Sequence, residues 1–346
     1  LIVDLLFGFF NLAHAALSQD PSLTWRTLST EHFEIHFHDG EEKLAHKVGA
    51  ISEAVHTRLS KTFNWTPSEP TQVIVTDRFD YANGWATPMP RNTMNLLMTP
   101  PTGNSVISDH DDWLELLIVH EYTHILHLDK ASGLPANVRK VLGRNLFTFP
   151  NVLQPPWVIE GLATYEETDN TRGIGRGQGT LFRGLMRQEV ANGIKPIYQA
   201  NQPLVSWPMN TVRYLYGVYF FQFIEARYGK DKPQLLVENY SNNLLPFAIN
   251  SNSKRTLGKD MAQLWAEFSD YLRDDFAPEI KRIQQAGEIS GTALTHSGYN
   301  TRSPKITENG DIYFLENDQQ SEPQLMRLQS GATKAEAITE VRGSDF

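Results

Sequence analysis

Cysteine is absent from all 346 residues. Its absence excludes a disulfide framework, a thiolate metal site and a cysteine nucleophile, so any metal must be held by His, Asp or Glu. It does not exclude export. Basic tracts are missing too, and the formal net charge is −9. An acidic chain without a basic patch has no electrostatic footprint for nucleic acid, and no polybasic segment to hold it on an anionic membrane surface. Long apolar runs are scarce. The stretch from Leu1 to Leu17, LIVDLLFGFFNLAHAAL, is too short and interrupted for a stable membrane span. What remains is an ordinary globular composition, 40% hydrophobic and 21% charged, in a chain long enough for two domains.

The apolar start ends in Ala13-His14-Ala15, the small-x-small pattern of a signal-peptidase site. We therefore expect a signal peptide at 1–15 and an exported protein, periplasmic or cell-envelope associated in a Gram-negative host.

From Glu31 to His38 apolar and polar residues alternate, placing Phe33, Ile35 and Phe37 on one side of a strand. His32, His36 and His38 share the other side. They read as a solvated face, since no carboxylate or second His motif converges there by spacing. Apolar residues recur with helical period from Glu41 to Ser60. Thr71–Thr76 reads as a buried strand, and Met94–Met98 as another extended stretch between prolines. Residues 22–105 thus form a small α+β lobe.

Helical patterns follow, over Asp112–Leu128, Trp157–Glu167, Leu181–Asn192, Val212–Tyr228, Gln234–Ser241 and Met261–Phe276. Ser108 and Asp109 are expected caps for the first of these, and Gly133 and Pro135 its stop. The RGIGRGQG run between Thr171 and Thr180 is a loop, because no strand precedes it and no Lys-Ser/Thr pair follows as a phosphate-binding loop requires. After Ile289 the pattern changes again. Asn309-Gly310 between two short apolar runs signals a hairpin, and Gln324–Leu328 then Ser330-Gly331 read as the next strand and turn.

The chemistry is carried by His120-Glu121-Tyr122-Thr123-His124 on the apolar helix. Histidines at i and i+4 lie one turn apart on one face, so both imidazoles can reach one metal. Glu121 is rotated by about 100° and falls beside such a metal, where a base that takes a proton from water must sit. His127 shares the face and is expected to support the site rather than bind metal, since a ligand set with an open water position is complete without it.

The segment Trp157-Val158-Ile159-Glu160-Gly161-Leu162-Ala163 resembles the third-ligand helix of the gluzincins, the zinc metallopeptidase clan that includes thermolysin and aminopeptidase N. The resemblance implies one zinc ion held by His120, His124 and Glu160, with Glu121 as general base. A metzincin site is not supported, because Lys130 stands where its third His would be. Arg213-Tyr214-Leu215-Tyr216-Gly217 is similar to the aminopeptidase N segment whose Tyr, three residues before a Gly, stabilises the oxyanion. That assigns the role to Tyr214 and leaves Tyr216 as packing. The Glu that anchors a substrate's free amine in aminopeptidase N has no counterpart in the nearest segment, Asn92-Thr93-Met94-Asn95. An endopeptidase is therefore favoured over an aminopeptidase, with an extended peptide adding to that strand.

The last segment resembles the opening repeat of a TolB-like β-propeller. One such unit cannot bury its own faces, so either further repeats belong to a longer protein or the segment is a lone appendage.

The expected fold class is α+β: the small mixed lobe at 22–105, a mainly helical HExxH domain at 106–285, and a partial propeller unit at 290–346. The expected function is hydrolysis of peptide bonds in a peptide or protein substrate, with a cell-envelope protein as partner through the propeller. The alternatives are a zinc-fold binding or scaffold protein acting through that propeller, and a zinc hydrolase of a non-peptide bond.

Overall fold

A computed structural model describes residue 20 and residues 22–341, apart from 102–105, 108–109, 203, 205–206, 244–246, 288–290, 298–299 and 319. The expected signal peptide at 1–15 lies outside the described residues, as do Ser108 and Asp109. The chain is α+β, with two separate sheets and a set of helices between them in sequence.

The first sheet contains β1 (Trp25–Ser29), β2 (Phe33–His38), β3 (Thr71–Thr76), β4 (Asn83–Thr87) and β5 (Thr93–Leu97), in the order β1-β2-β3-β5-β4. The alternation in β2 does what its pattern requires: Phe33, Ile35 and Phe37 are buried. Between β2 and β3 the chain crosses through α1 (Glu42–Phe63), whose face of Ala45, Val48, Val55 and Leu59 is buried. This crossover makes β2 and β3 parallel, as β3 and β5 are, while β1 and β4 pair antiparallel at the two edges.

The edge facing the rest of the protein corrects an expectation. Met94–Met98 does not offer a free side to a peptide. In β5, Met94 pairs with Val73 on one side and Ala86 on the other, and Asn95 with Ile74 and Trp85. The edge strand is β4, Asn83-Gly84-Trp85-Ala86-Thr87, which carries too little apolar alternation to be read as a strand.

Helix α2 (Trp113–Asp129) is buried on every face except at Glu115. A helix apolar all round belongs in the middle of a core. Its cap is Asp112, whose carboxylate accepts from the backbone N–H groups of Leu114 and Glu115. It ends at Asp129, one residue past the expected Leu128, where Lys130 turns to extended backbone and its buried amine reaches the carbonyls of Phe63 and Asn64. Gly133 and Pro135 instead open α3 (Gly133–Leu142), where proline in the first turn gives up an N–H that had no partner.

Then come α4 (Pro156–Glu166), α5 (Thr180–Asn192), α6 (Ile197–Ala200), α7 (Val212–Tyr228), α8 (Lys232–Tyr240), α9 (Ile249–Leu257) and α10 (Met261–Ala286). Helix α10 outruns its expected end at Phe276. Phe276 is its last buried residue, so the apolar period stops there while the backbone continues. One core joins the first sheet, α1, α2, α4, α7 and α10.

The second sheet is an antiparallel meander of β6 (Asn300–Ile306), β7 (Ile312–Asn317), β8 (Gln324–Leu328) and β9 (Glu336–Glu340). The turn from β6 to β7 holds Gly310 at φ +85°, as the Asn309-Gly310 pair demands. Phe314, Met326 and Leu328 form its own small core. Every residue of β9 is exposed, which is why no pattern announced it.

Candidate metal centre

Helix α2 carries His120 and His124 on one face, and α4 lies against it carrying Glu160. Glu160 Oε2 stands 3.4 Å from His120 Nε2 and 3.3 Å from His124 Nε2. The three donor atoms lie within 4.8 Å of one another, close enough to hold a metal ion. The donor set fits such an ion. Ligands at about 2.0–2.1 Å from a tetrahedral zinc sit roughly 3.3–3.4 Å apart, and two imidazoles with one carboxylate match a site that keeps a fourth position open.

The imidazole of His120 is oriented from behind. Its Nδ1 lies 2.8 Å from Glu167 Oε2 and 3.0 Å from a terminal nitrogen of Arg176, and its Nε2 is turned to Glu160. Glu167 also accepts from Arg176, at 2.6 Å from Nε and 2.8 Å from a terminal nitrogen. Glu167 and Arg176 are both buried. Burial pushes the Glu167 carboxyl up, but the Arg176 charge and hydrogen bonds outweigh it and hold the group at about 2. For His120, burial opposes the charged form, yet the carboxylates of Glu160 and Glu167 prevail and raise it to about 9. Proton and metal would therefore compete for the same Nε2, and a metal bound there at neutral pH would displace a proton.

Glu121 is 4% exposed, and its Oε2 has no hydrogen-bond partner. Burial pushes its carboxyl above the usual range, toward a group able to take and return a proton. Strand β4 passes directly over it. A Cβ on Gly84 would come 2.8 Å from Glu121 Oε1 and 2.7 Å from Leu117 Cδ1, so a side chain there would push the Glu121 carboxylate or Leu117 aside.

Tyr214, from α7, completes the wall. Its ring lies under the Arg176 guanidinium at 4.8 Å and 6.2 Å from the His120 ring. Burial first, and then the Glu160 charge, raise its phenol well above its ordinary value, so it remains a hydrogen-bond donor. Together β4, α2, α4 and α7 line a cavity of about 370 Å³ that contains all five of His120, Glu121, His124, Glu160 and Tyr214. Among its described lining residues the only carboxylates are Glu121 and Glu160.

Two neighbouring side chains stand apart from the three donors. Tyr216 is buried, donates to Glu189 Oε2 at 2.6 Å and accepts from the Lys195 N–H at 2.8 Å, so it ties α7 to α5. His127 is fully buried and lies outside the three-residue group, with burial depressing its pKa to about 3.

Three participants were not foreseen. Glu167 sits seven residues after Glu160, two turns along the same helix face, and that spacing could have marked it. Arg176 comes from the glycine-rich run read only as a loop, and no spacing rule connects it to His120. Gly84 lies in the unrecognised strand. No family model matches the chain, and no curated protein matches it.

Proposed function

We propose that the protein is a zinc-dependent peptidase that cleaves within peptide chains. The observation that carries this reading is the convergence of His120, His124 and Glu160 beside a buried carboxylate, Glu121, whose Oε2 has no hydrogen-bond partner. A structural metal site has no use for an unpaired buried carboxylate, whereas a hydrolytic site needs a base at that place.

A zinc ion held by the three side chains would polarise the scissile carbonyl and acidify a water. Glu121 takes the proton of the attacking water and returns it to the leaving amine. Tyr214 donates to the oxygen on which negative charge develops, an interaction strongest in the transition state. Glu167 and Arg176 keep the His120 ring oriented throughout.

An extended substrate is expected to pair with the free edge of β4, whose backbone polar groups on that side have no strand partner among the described residues. Leu116, Leu117, Ile159 and Phe182 give the cavity apolar walls suited to an apolar side chain next to the scissile bond. In the same reading, β6–β9 is a propeller blade, since a four-stranded antiparallel meander is what one blade contains. Its edges would then receive further repeats or a cell-envelope partner of an exported protein.

The test is digestion of a broad peptide library by the whole chain, with and without chelator, followed by mass spectrometry. Internal cleavage that stops on chelation and returns with zinc is expected. Zinc binding without cleavage of any peptide would leave a binding protein or a hydrolase of another bond.

A further inference from the structure

A second group of metal-ligating side chains lies away from α2 and α4. His38 ends β2, Glu41 stands at the N-cap of α1, and Asp77 follows the last residue of β3. Their donor atoms lie within 4.8 Å of one another. His38 Nε2 is 3.1 Å from Asp77 Oδ1 and 3.3 Å from Glu41 Oε1.

The imidazole is set from behind. Its Nδ1 lies 3.1 Å from the carbonyl oxygen of Asp39, which can only accept, so Nδ1 carries hydrogen and Nε2 faces the two carboxylates. In the neutral ring that nitrogen presents a lone pair to two anions, which requires a proton or a cation between them.

Glu41 supplies the independent observation. It occupies a helix cap position yet caps nothing, it is 8% exposed, and neither of its oxygens has a hydrogen-bond partner. Burial, and then the facing Asp77 carboxylate, push its own carboxyl up to about 7. The neighbouring cations are engaged elsewhere: Arg26 with Asp39, and Arg78 with Asp20. Among the described residues, the ion pairs of Glu41 and Asp77 run to His38 alone. With Glu41 ionised, the two carboxylates exceed the one charge a protonated ring can supply, and a proton on Glu41 or a cation must make up the difference, since an uncompensated buried carboxylate is costly.

We propose that His38, Glu41 and Asp77 form a second divalent-cation site, built for zinc or a neighbouring transition metal. The ring nitrogen disfavours calcium and magnesium, which take oxygen ligands. The Asp77 side chain is 55% exposed, so the ion has an entry path and room for water. The three ligands come from the end of one strand, the start of the crossover helix and the end of the parallel strand beside it. The ion would thus clasp the β2–α1–β3 unit, and its binding energy would be folding energy.

The experiment counts zinc on the whole chain, freed of metal by chelator and then dialysed against zinc at neutral pH. Wild type is expected to hold two ions. His124→Ala, which breaks only the centre on α2, should hold one, and zinc should raise its melting temperature. Adding Asp77→Asn to that variant should abolish both the ion and the thermal shift. Asp77 is half-exposed, so this change leaves the fold intact where His38→Ala could disturb it. If His124→Ala binds no zinc, or if Asp77→Asn leaves its count unchanged, the proposal falls and the cluster is an imidazolium bridging two carboxylates. Because the arms are read in the His124→Ala background, the outcome does not depend on whether the first centre is catalytic.

Discussion

Gly161 and Gly217 meet face to face where α4 crosses α7. A Cβ on Gly161 would fall 2.6 Å from the carbonyl carbon of Gly217, and one on Gly217 would run into the Gly161 Cα and the Trp157 carbonyl oxygen. Gly161 directly follows Glu160, and Gly217 stands three residues after Tyr214. Their contact brings the two helices together backbone to backbone, and so sets the carboxylate and the phenol at one cavity.

Replacing either glycine therefore tests the scaffold. Alanine gains up to about 1 kcal/mol of helix propensity over glycine. The collision is with backbone, which cannot swing aside, and overpacking of this kind costs about 1–3 kcal/mol or more. Gly161→Ala should lower the melting temperature by roughly 2–8 °C and weaken metal binding, measured by thermal denaturation and zinc titration. A variant that melts and binds zinc as wild type does would show that the close approach is not required.

Glu167 is a positioning residue, and its substitution should separate orientation from catalysis. Glu167→Gln keeps an acceptor near His120 but removes the charge facing Arg176. Loss of such a partner lowers metal affinity by about 10–100-fold. The stability effect has a definite pH window. The Glu167 carboxyl lies at about 2 in the folded protein, below its ordinary 4.5. A depressed carboxyl contributes stability that is present above the unfolded value and is lost as pH falls through the folded one. The substitution should thus cost roughly 3 kcal/mol near pH 7. Between pH 4.5 and pH 2 the gap to wild type should close. A gap that stays constant on acidification would mean the carboxylate contributes only packing.

Tyr214→Phe should leave zinc in place and the fold unchanged. A lost oxyanion donor costs about 10²–10³-fold in kcat, and KM should hardly move because the hydrogen bond strengthens only as charge develops. A rise in KM at constant kcat would instead make Tyr214 a substrate-binding residue.

How far the sequence reveals these features depends on where they lie along the chain. The i, i+4 spacing put His120 and His124 on one helix face, and the apolar surroundings made that helix buried. Glu160 entered through the resemblance of its own helix, and the structure brings it beside both rings. Strand β4 escaped because an edge strand carrying Gly84 needs no apolar alternation. Arg176 escaped because a loop residue joins a site through tertiary contact, which has no sequence period. The same holds for His38. By spacing alone its face reads as solvated, since no carboxylate is near, yet the parallel pairing of β2 with β3 brings Asp77 to it.

The hydrolytic mechanism stands or falls on Glu121, the buried carboxylate with a free oxygen beside the three donors. Zinc content and rate should be measured together on wild type, Glu121→Gln and His124→Ala, against a peptide that wild type cleaves. Glu121→Gln is expected to keep its zinc while losing about 10²–10⁴-fold in kcat, the range for a missing general base. His124→Ala should lose both rate and the ion on α2, because the three-ligand site is broken. If Glu121→Gln cleaves as fast as wild type with its zinc in place, the proposed hydrolytic mechanism is wrong.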